Sequence, residues 1–231
     1  MNTQKTIVIS LGGSIICPKP GEIDTVFLKK FRKMILKFLG KGYKFVIIAG
    51  GGKTCRLYQS AAIKVVKLSD EDKDWLGIHA TRLNAHLIRT IFREVAYPAV
   101  LKDPNKPIKK NWKLLIASGI KPGWSTDYAS TLYAEKFKIK EIVNAGNVSF
   151  VCDKDPAKYK TAKIFENISW KNYKKLIPSK WTPGLSTPFD PIAAKLAEKL
   201  KIRVLMVKGT DIKNFEKALS NKKFTGTIIE P

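Results

Sequence analysis

The sequence has little cysteine, and the few it has indicate neither a disulfide framework nor a cysteine-based metal site. The three cysteines, Cys17, Cys55 and Cys152, are scattered, odd in number and without metal-ligand spacing. Apolar runs long enough to cross a bilayer are also missing, and Met1–Lys5 leads into a strand pattern without a signal peptide. We therefore expect a protein of the reducing cytoplasm with no membrane partner.

Acidic residues are scarce too. There are 19 aspartates and glutamates against 43 lysines and arginines, which gives a formal net charge of +24. Such an excess can indicate nucleic acid or another polyanion as a partner. However, the lysines are spread along the chain singly or in pairs, and the aromatic residues form no motif of a known RNA-binding module. Because a small phosphorylated substrate would also explain the charge, nucleic acid is the less favoured main partner.

Alternating patterns along the 231 residues predict the fold class. Apolar, β-branched runs recur, and they read TIVISL, KFVIIA, AYPAVL, KLLIAS, EIVNAG and RVLMVKG. Helical patterns lie between several of them, and Asp24 is placed to cap one such helix. Strands that alternate with helices imply an α/β fold, a three-layer sandwich with a mainly parallel central sheet covered on both faces. Since no repeat or linker interrupts the pattern, residues 1–231 are predicted to form a single domain.

Glycine-rich or polar segments follow four of the predicted strands. They are Gly12–Ser14, Gly50–Gly52, Ser118–Asp127 and Gly146–Asn147. The carboxyl ends of parallel strands share one edge of a sheet, and ligands of such folds bind beyond that edge. Glycine permits close approach to the backbone, and free N–H groups before a helix attract anions. The four loops therefore predict a phosphate-binding edge.

A polar stripe lies on the predicted helix from about Asp70 to Phe92. Asp74, Gly77, Thr81 and Asn84 are spaced by three, four and three residues, so they share one helix face. A glycine within such a stripe suggests that something packs closely against it. The alternative is a solvated face with a helix–helix contact at Gly77.

Three further polar segments allow more than one interpretation. Ser125 and Thr126 could hydrogen-bond a planar polar ligand, whereas Asp127 fits an ordinary position at a helix start. The aspartates of DKDP, Asp153–Pro156, could bind a ribose or form a turn. Asp190 precedes a proline and a helical pattern, which fits an N-cap, and a carboxylate at the ligand edge could equally position cations.

Taken in order, these segments resemble the amino acid kinase superfamily, and specifically its archaeal-type uridylate (UMP) kinases. The matching pieces span essentially the whole chain and read LGGS, GGGKTCR, DWLGIHATRLNA, PGWSTD, DKDP, FDPIAAKLAEKL and GTIIEP. The TRLNA and PG.STD pieces are specific to uridylate kinases. The resemblance implies the amino acid kinase-like fold and ATP-dependent phosphorylation of UMP to UDP in pyrimidine biosynthesis. It also implies Mg²⁺ as cofactor, ATP as co-substrate and a cytoplasmic homohexamer.

The resemblance also implies roles for individual residues. On the donor side, the positions matching ATP contacts are Gly12, Gly13, Ser14, Gly52, Arg56, Asn147, Cys152 and Asp155. On the acceptor side, the positions matching UMP contacts are Gly51, Asp74, Ile120, Lys121, Pro122, Gly123, Trp124, Ser125 and Thr126. The catalytic candidates are Lys53, Arg56 and Asp190, all expected near the reacting phosphates, and no residue is predicted as a metal ligand.

The chain departs from the family pattern in two places. Many superfamily members have a lysine two positions before the first glycine pair, where this chain has Ser10. The usual DGVY of the ATP region reads SFVC, so Phe150 replaces a glycine and Cys152 an aromatic residue. We therefore expect a reshaped adenine pocket and expect Lys53 and Arg56 to supply the missing positive charge.

Two alternatives stay open. One is a catalytically degenerate kinase fold that binds nucleic acid or regulates another protein. The other is a superfamily kinase for carbamate, acetylglutamate or isopentenyl phosphate. The uridylate-type segments disfavour the second alternative, and an isopentenyl phosphate enzyme should have a histidine beside the triple glycine, where this chain has none.

Overall fold

The strands of the protein coincide with most of the apolar runs predicted from the sequence. The computed structural model describes residues 5–109, 111–182, 185 and 187–231, and nine strands are found within these residues. They are Thr6–Leu11 (β1), Lys44–Ala49 (β2), Leu114–Ala117 (β3), Glu141–Gly146 (β4), Val151–Cys152 (β5), Ile164–Phe165 (β6), Asn167–Ser169 (β7), Arg203–Lys208 (β8) and Thr227–Glu230 (β9).

The helices lie between these strands. Those found in the described ranges are Gly13–Ile16 (α1), Thr25–Gly40 (α2), Gly52–Val65 (α3), Asp70–Ile91 (α4), Thr126–Lys136 (α5), Trp170–Leu176 (α6), Pro191–Lys199 (α7) and Ile212–Leu219 (α8). Asp24 caps α2 as predicted, because its Oδ1 accepts a 2.8 Å hydrogen bond from the backbone N–H of Phe27. Ser69 caps α4, whose acidic first turn complements the helix dipole.

Seven strands form the central sheet in the order β3-β2-β1-β4-β8-β9-β7. The first five run parallel to one another, and β9 is antiparallel to β8. The short strands β5 and β6 pair separately as an antiparallel hairpin. The predicted mainly parallel sheet is thus confirmed, and the loops that follow β1, β2, β3 and β4 emerge at one edge.

Two hydrophobic cores lie on opposite faces of the sheet. Along β1, Ile7, Ile9 and Leu11 point into the core that α2, α4 and α8 cover. Val8 points into the other core, which is covered by α5, α6 and α7. This alternation follows from the period of two in a β-strand. The strands are therefore buried on both faces, which produces three layers.

One predicted strand is wrong, and four of the strands found in the described ranges were not predicted. The AYPAVL segment forms only isolated bridges, from Ala96 to Leu114 and from Leu101 to Ala117. Pro98 lies between these bridges and cannot donate a backbone hydrogen bond, which prevents a continuous strand. The unpredicted strands are β5, β6, β7 and β9, and with two to four residues each they are too short for the sequence pattern to reveal them. No helix in the described ranges has both the length and the apolar character to span a bilayer.

Candidate active site

The glycine loops at the ends of β1 and β2 touch through their backbones. A Cβ atom placed on Gly13 would lie 2.5 Å from the carbonyl oxygen of Gly50 and would overlap the backbone nitrogen of Gly52. Gly52 also has a φ of +62°, which strains any residue with a side chain. These glycines are therefore required by close approach and backbone conformation, and not only by a turn.

The contact of the two loops places the N-terminus of α3 at this edge of the sheet. α3 begins at Gly52, and its N-cap residue Gly51 offers no side chain to the free N–H groups of the first turn. These N–H groups and the helix dipole favour an anion. Lys53 is half-buried and Arg56 is exposed within the first turns of α3. Within the described ranges, neither cation forms an ion pair with a carboxylate.

The polar stripe of α4 holds these loops in place. The side-chain amide of Asn84 donates to the carbonyl oxygen of Gly50 at 2.7 Å and to that of Gly51 at 3.3 Å. The hydroxyl of Thr81 accepts a 2.8 Å hydrogen bond from the backbone N–H of Gly119. Both side chains are buried. This part of the stripe is therefore not a solvated face.

The other half of the stripe faces α3 and the loop after β3. Oδ2 of Asp74 accepts a 2.7 Å hydrogen bond from the backbone N–H of Gly123. Burial raises the pKa of the Asp74 carboxyl, and the bond from Gly123 acts against that shift. Gly77 packs against α3, since a Cβ atom there would lie 3.4 Å from Sγ of Cys55. The close packing predicted at Gly77 is therefore a helix–helix contact with α3. The same stripe also carries Asp74, which contacts the loop after β3.

The segment Ile120–Thr126 connects β3 to α5 and lies against α4 through the Gly123–Asp74 bond. Gly123 has a φ of +83°, and Lys121 Nζ lies 4.2 Å from the ring centroid of Trp124. The Trp124 ring in turn meets Tyr128 edge-to-face at 4.9 Å. The structure thus brings the predicted acceptor segment and Asp74 together.

A carboxylate network connects the ends of β1, β4, α5 and α7. Oδ1 of Asp127 accepts hydrogen bonds from Ser10 Oγ at 3.1 Å and Asn144 Nδ2 at 3.3 Å. Oδ2 of Asp127 accepts from the backbone N–H of Asp190 at 3.3 Å. Asp190 is the predicted N-cap of α7, and its Oδ2 accepts a hydrogen bond from Ser125 Oγ. Ser125 itself caps α5.

Asp127 is the residue of this site that sequence reasoning missed. Desolvation and, next, the charge of Asp190 raise the pKa of Asp127 to about 7, against hydrogen bonds from Ser10 and the Asp190 backbone. The sequence suggested only that Asp127 lies at the start of a helix. It does so, because α5 begins at Thr126. The available signal was the departure from the family pattern at Ser10, because its hydroxyl lies 3.1 Å from the Asp127 carboxyl group.

The positions predicted for the ATP nucleoside lie around the β5–β6 hairpin. Asn147 and Asp155 are exposed, and Cys152 is half-buried. Oδ1 of Asp155 accepts a 2.9 Å hydrogen bond from the backbone N–H of Ala157, so this carboxylate closes a turn. Among the residues whose placement is described, no hydrogen bond joins Asn147, Cys152 and Asp155 to one another. Their role in nucleoside binding stays a prediction.

Comparison with known proteins identifies the family. The model of the amino acid kinase family matches residues 5–208. The chain belongs to the amino acid kinase family. This family member is 32% identical over 232 residues to the uridylate kinase of Thermococcus sibiricus, covering 97% of this chain and 99% of the relative. It is 34% identical over 229 residues to the uridylate kinase of Methanocaldococcus jannaschii, with the same coverage of 97% and 99%.

Solved structures agree with this assignment. The crystal structure of uridylate kinase from Archaeoglobus fulgidus is 30% identical, covers 98% of this family member and 100% of its own chain, and superimposes with a TM-score of 0.81. The UMP kinase of Ureaplasma parvum superimposes with a TM-score of 0.76 at 19% identity, over 99% of both chains, and shares the fold. The family and fold predicted from the motifs are both confirmed.

Proposed function

We propose that this family member transfers the γ-phosphoryl group of ATP to UMP, giving UDP and ADP. The observation that carries the proposal is the backbone contact of Gly13 with Gly50 and Gly52, which joins two glycine loops at the N-terminus of α3. Donor and acceptor phosphates would meet at that contact. The similarity to uridylate kinases over 97% of the chain supports UMP as the acceptor.

The reaction requires that the two phosphates are positioned and that the developing charge is stabilised, and it does not require a general base. The attacking phosphate oxygen of UMP is already an anion, and the difficulty is to bring two polyanions into line. Backbone N–H groups around Gly52 can face the charge that develops on the transferred group. Lys53 and Arg56, which form no ion pair within the described ranges, would contribute positive charge from the same helix start.

On the acceptor side, we assign UMP to the space between Gly51, Asp74 and the segment Ile120–Thr126. Oδ2 of Asp74 holds the backbone of Gly123, which leaves Oδ1 to accept hydrogen bonds from sugar hydroxyls. Asp190 contacts the other end of this segment. Its Oδ1 caps α7, and its Oδ2 accepts a hydrogen bond from Ser125. Its proposed contribution is to hold the acceptor segment and α7 in place.

On the donor side, we assign the ATP phosphates to Gly12, Gly13, Ser14, Gly52 and Arg56. The nucleoside would lie toward Asn147, Cys152 and Asp155. Within the described ranges, no group of three His, Cys, Asp or Glu side chains could hold a metal ion. Mg²⁺ would therefore enter with the ATP phosphates, whose charge it neutralises.

We also propose that the protein works in the cytoplasm, in pyrimidine nucleotide biosynthesis, as a homohexamer. α3 supports the self-association, because none of its residues is buried although it carries large apolar side chains. The exposed fraction is 45% for Leu57, 60% for Tyr58 and 54% for Ile63. A helix with these side chains in water is suited to pack against a second copy of the chain.

A coupled assay of ADP release tests the proposed reaction. UMP, CMP, dTMP and isopentenyl phosphate are offered with ATP and Mg²⁺, and kcat/KM should be highest for UMP. A preference for isopentenyl phosphate would indicate a different superfamily kinase. No UMP-dependent ATP consumption, together with RNA binding that weakens steeply with salt, would favour the degenerate, nucleic-acid-binding alternative.

A further inference from the structure

Asp127 and Asp190 are neighbouring carboxylates, and within the described ranges neither forms an ion pair with a cation. The backbone N–H of Asp190 reaches Asp127 Oδ2 at 3.3 Å, and the remaining hydrogen-bond donors are Ser10, Asn144, Ser125 and backbone groups. All these donors are neutral. Among the described residues, no lysine or arginine nitrogen lies within 4.0 Å of either carboxylate.

The lysines of the helices packed around Asp127 are engaged or exposed elsewhere in the described structure. Lys136 of α5 donates to the backbone carbonyls of Pro104 and Lys106, Lys195 of α7 donates to that of Ser179, and Lys199 of α7 is exposed. From α7, Asp127 is faced by Asp190, and from β1 and β4 by the neutral side chains of Ser10 and Asn144. The ionisable residues of β2 and β4, Lys44 and Glu141, are the first residues of their strands. They therefore lie at the sheet edge opposite to the one that holds Asp127.

α6 contributes one more ionisable group near the pair. This is Tyr173, whose hydroxyl donates to the carbonyl oxygen of Phe189 at 2.6 Å and accepts from its N–H at 2.7 Å. Burial raises the pKa of Tyr173 far above neutrality, so it stays uncharged. Two like charges this close, without a counter-charge, are unfavourable, and proton uptake by one carboxyl group relieves the repulsion.

From this geometry we infer that the Asp127–Asp190 pair holds one proton near neutral pH, in place of the ammonium group that is absent at Ser10. Asp190 is an acceptor at both oxygens, since Oδ1 caps α7 with bonds of 2.6 and 2.9 Å and Oδ2 accepts from Ser125 Oγ. The proton therefore belongs on Asp127. Ser10 Oγ lies 3.1 Å from Asp127 Oδ1, and its hydroxyl can rotate to accept from the protonated carboxyl group instead of donating to the carboxylate.

The proton makes Asp127 a positioning residue for the phosphate edge. Ser10 precedes the Gly12 loop by two residues, so a charged Asp127 would repel the phosphates assigned to that loop. As pH rises and the proton leaves, the KM for ATP should increase, by up to about tenfold per pH unit once the pair is fully charged. This effect on KM rests on the proposed function, whereas the proton itself does not.

Infrared difference spectroscopy tests the proton without any catalytic activity. The spectrum of the wild-type protein minus that of Asp127→Asn, both at about pH 6, should contain the C=O stretch of a protonated carboxylic acid. The band should disappear as the pH is raised to about 9. Subtracting the isosteric variant removes other acids, including Asp74. A folded Asp127→Asn protein that keeps the whole acid band would overturn the inference.

A charge-restoring variant and its matched control give the second test. Ser10→Lys should supply the missing ammonium, abolish the acid band and remove the rise of the ATP KM at alkaline pH. Ser10→Ala removes only the hydroxyl, so it should keep both the band and the rise. An equal effect of both variants would contradict the inference. Should Ser10→Lys fail to fold, the Asp127→Asn spectrum decides. Absence of UMP-dependent ATP consumption by the wild-type protein would refute the proposed function but leave the infrared result valid.

Discussion

Gly13 and Gly52 meet backbone to backbone, and a Cβ atom on either would overlap the main chain of the other. This contact joins the ends of β1 and β2 at the start of α3. It explains why the sequence has glycine on both sides of the contact, and it makes the contact sensitive to a single methyl group.

Gly52→Ala should therefore destabilise the protein by more than the positive φ at this position alone would cause. The variant combines a φ of +62° with a backbone overlap, so we expect a loss of stability of about 2–3 kcal/mol or more and a large loss of activity. Gly42→Ala is the matched control, because Gly42 has a φ of +84° and open space around its Cβ position. It should cost about 1 kcal/mol. Urea unfolding compares the two, and equal losses would contradict the role of the contact.

The sequence predicted most of the sheet and the phosphate edge, because both depend on local signals. Buried parallel strands give continuous apolar runs, and close backbone contacts need glycine. Asp127 was not recognised as a central residue, since its environment arises from Ser10, Asn144 and Asp190, which come from three distant parts of the chain. No local pattern near Asp127 reveals these partners.

Asp74→Asn should weaken UMP binding more than ATP binding. The asparagine oxygen can still accept the bond from Gly123, but its amide cannot accept the sugar hydroxyls that we assign to Oδ1 of Asp74. Hydrogen bonds to a charged group contribute about 1.5–3 kcal/mol, so the KM for UMP should rise by roughly 10- to 150-fold. Asp74→Ala, which also releases Gly123, should raise it further. An increase confined to the KM for ATP would show that the assignment is wrong.

The cations of α3 should affect turnover according to their position. Removing a donor aimed at developing charge typically lowers kcat about 100- to 1,000-fold, and we expect a loss of that order for Arg56→Ala. The loss of kcat should be smaller for Lys53→Ala. It should be less than about tenfold for Ser10→Ala, because the serine hydroxyl carries no charge. Lys64→Ala, in the last turn of the same helix, is the control and should turn over normally. Near-normal kcat in both Arg56→Ala and Lys53→Ala would point to a cation elsewhere.

Cys152→Tyr should change the use of the phosphate donor without changing UMP affinity. Cys152 is half-buried in β5, and Phe150 beside it is also half-buried and could supply apolar surface to the nucleoside. An aromatic ring at position 152 should therefore alter the KM for ATP or the ratio of ATP to GTP use. Ile164 faces Cys152 in the paired strand and is 54% exposed, so Ile164→Tyr is the matched control. An unchanged donor profile in Cys152→Tyr would count against this placement.

The contribution of Asp127 to the stability of the protein should fall as the pH rises toward neutrality. The pKa of Asp127 is raised to about 7, above its ordinary value of about 3.9 in an unfolded chain. Between these values the folded state binds more protons, so the contribution is complete below about pH 4 and is lost as the pH passes about 7. One proton gives a slope of at most about 1.4 kcal/mol per pH unit. Urea unfolding at several pH values should show this slope in the difference between the free energies of unfolding of the wild type and Asp127→Asn. A constant difference between the two proteins across the window would mean that Asp127 titrates at its ordinary value.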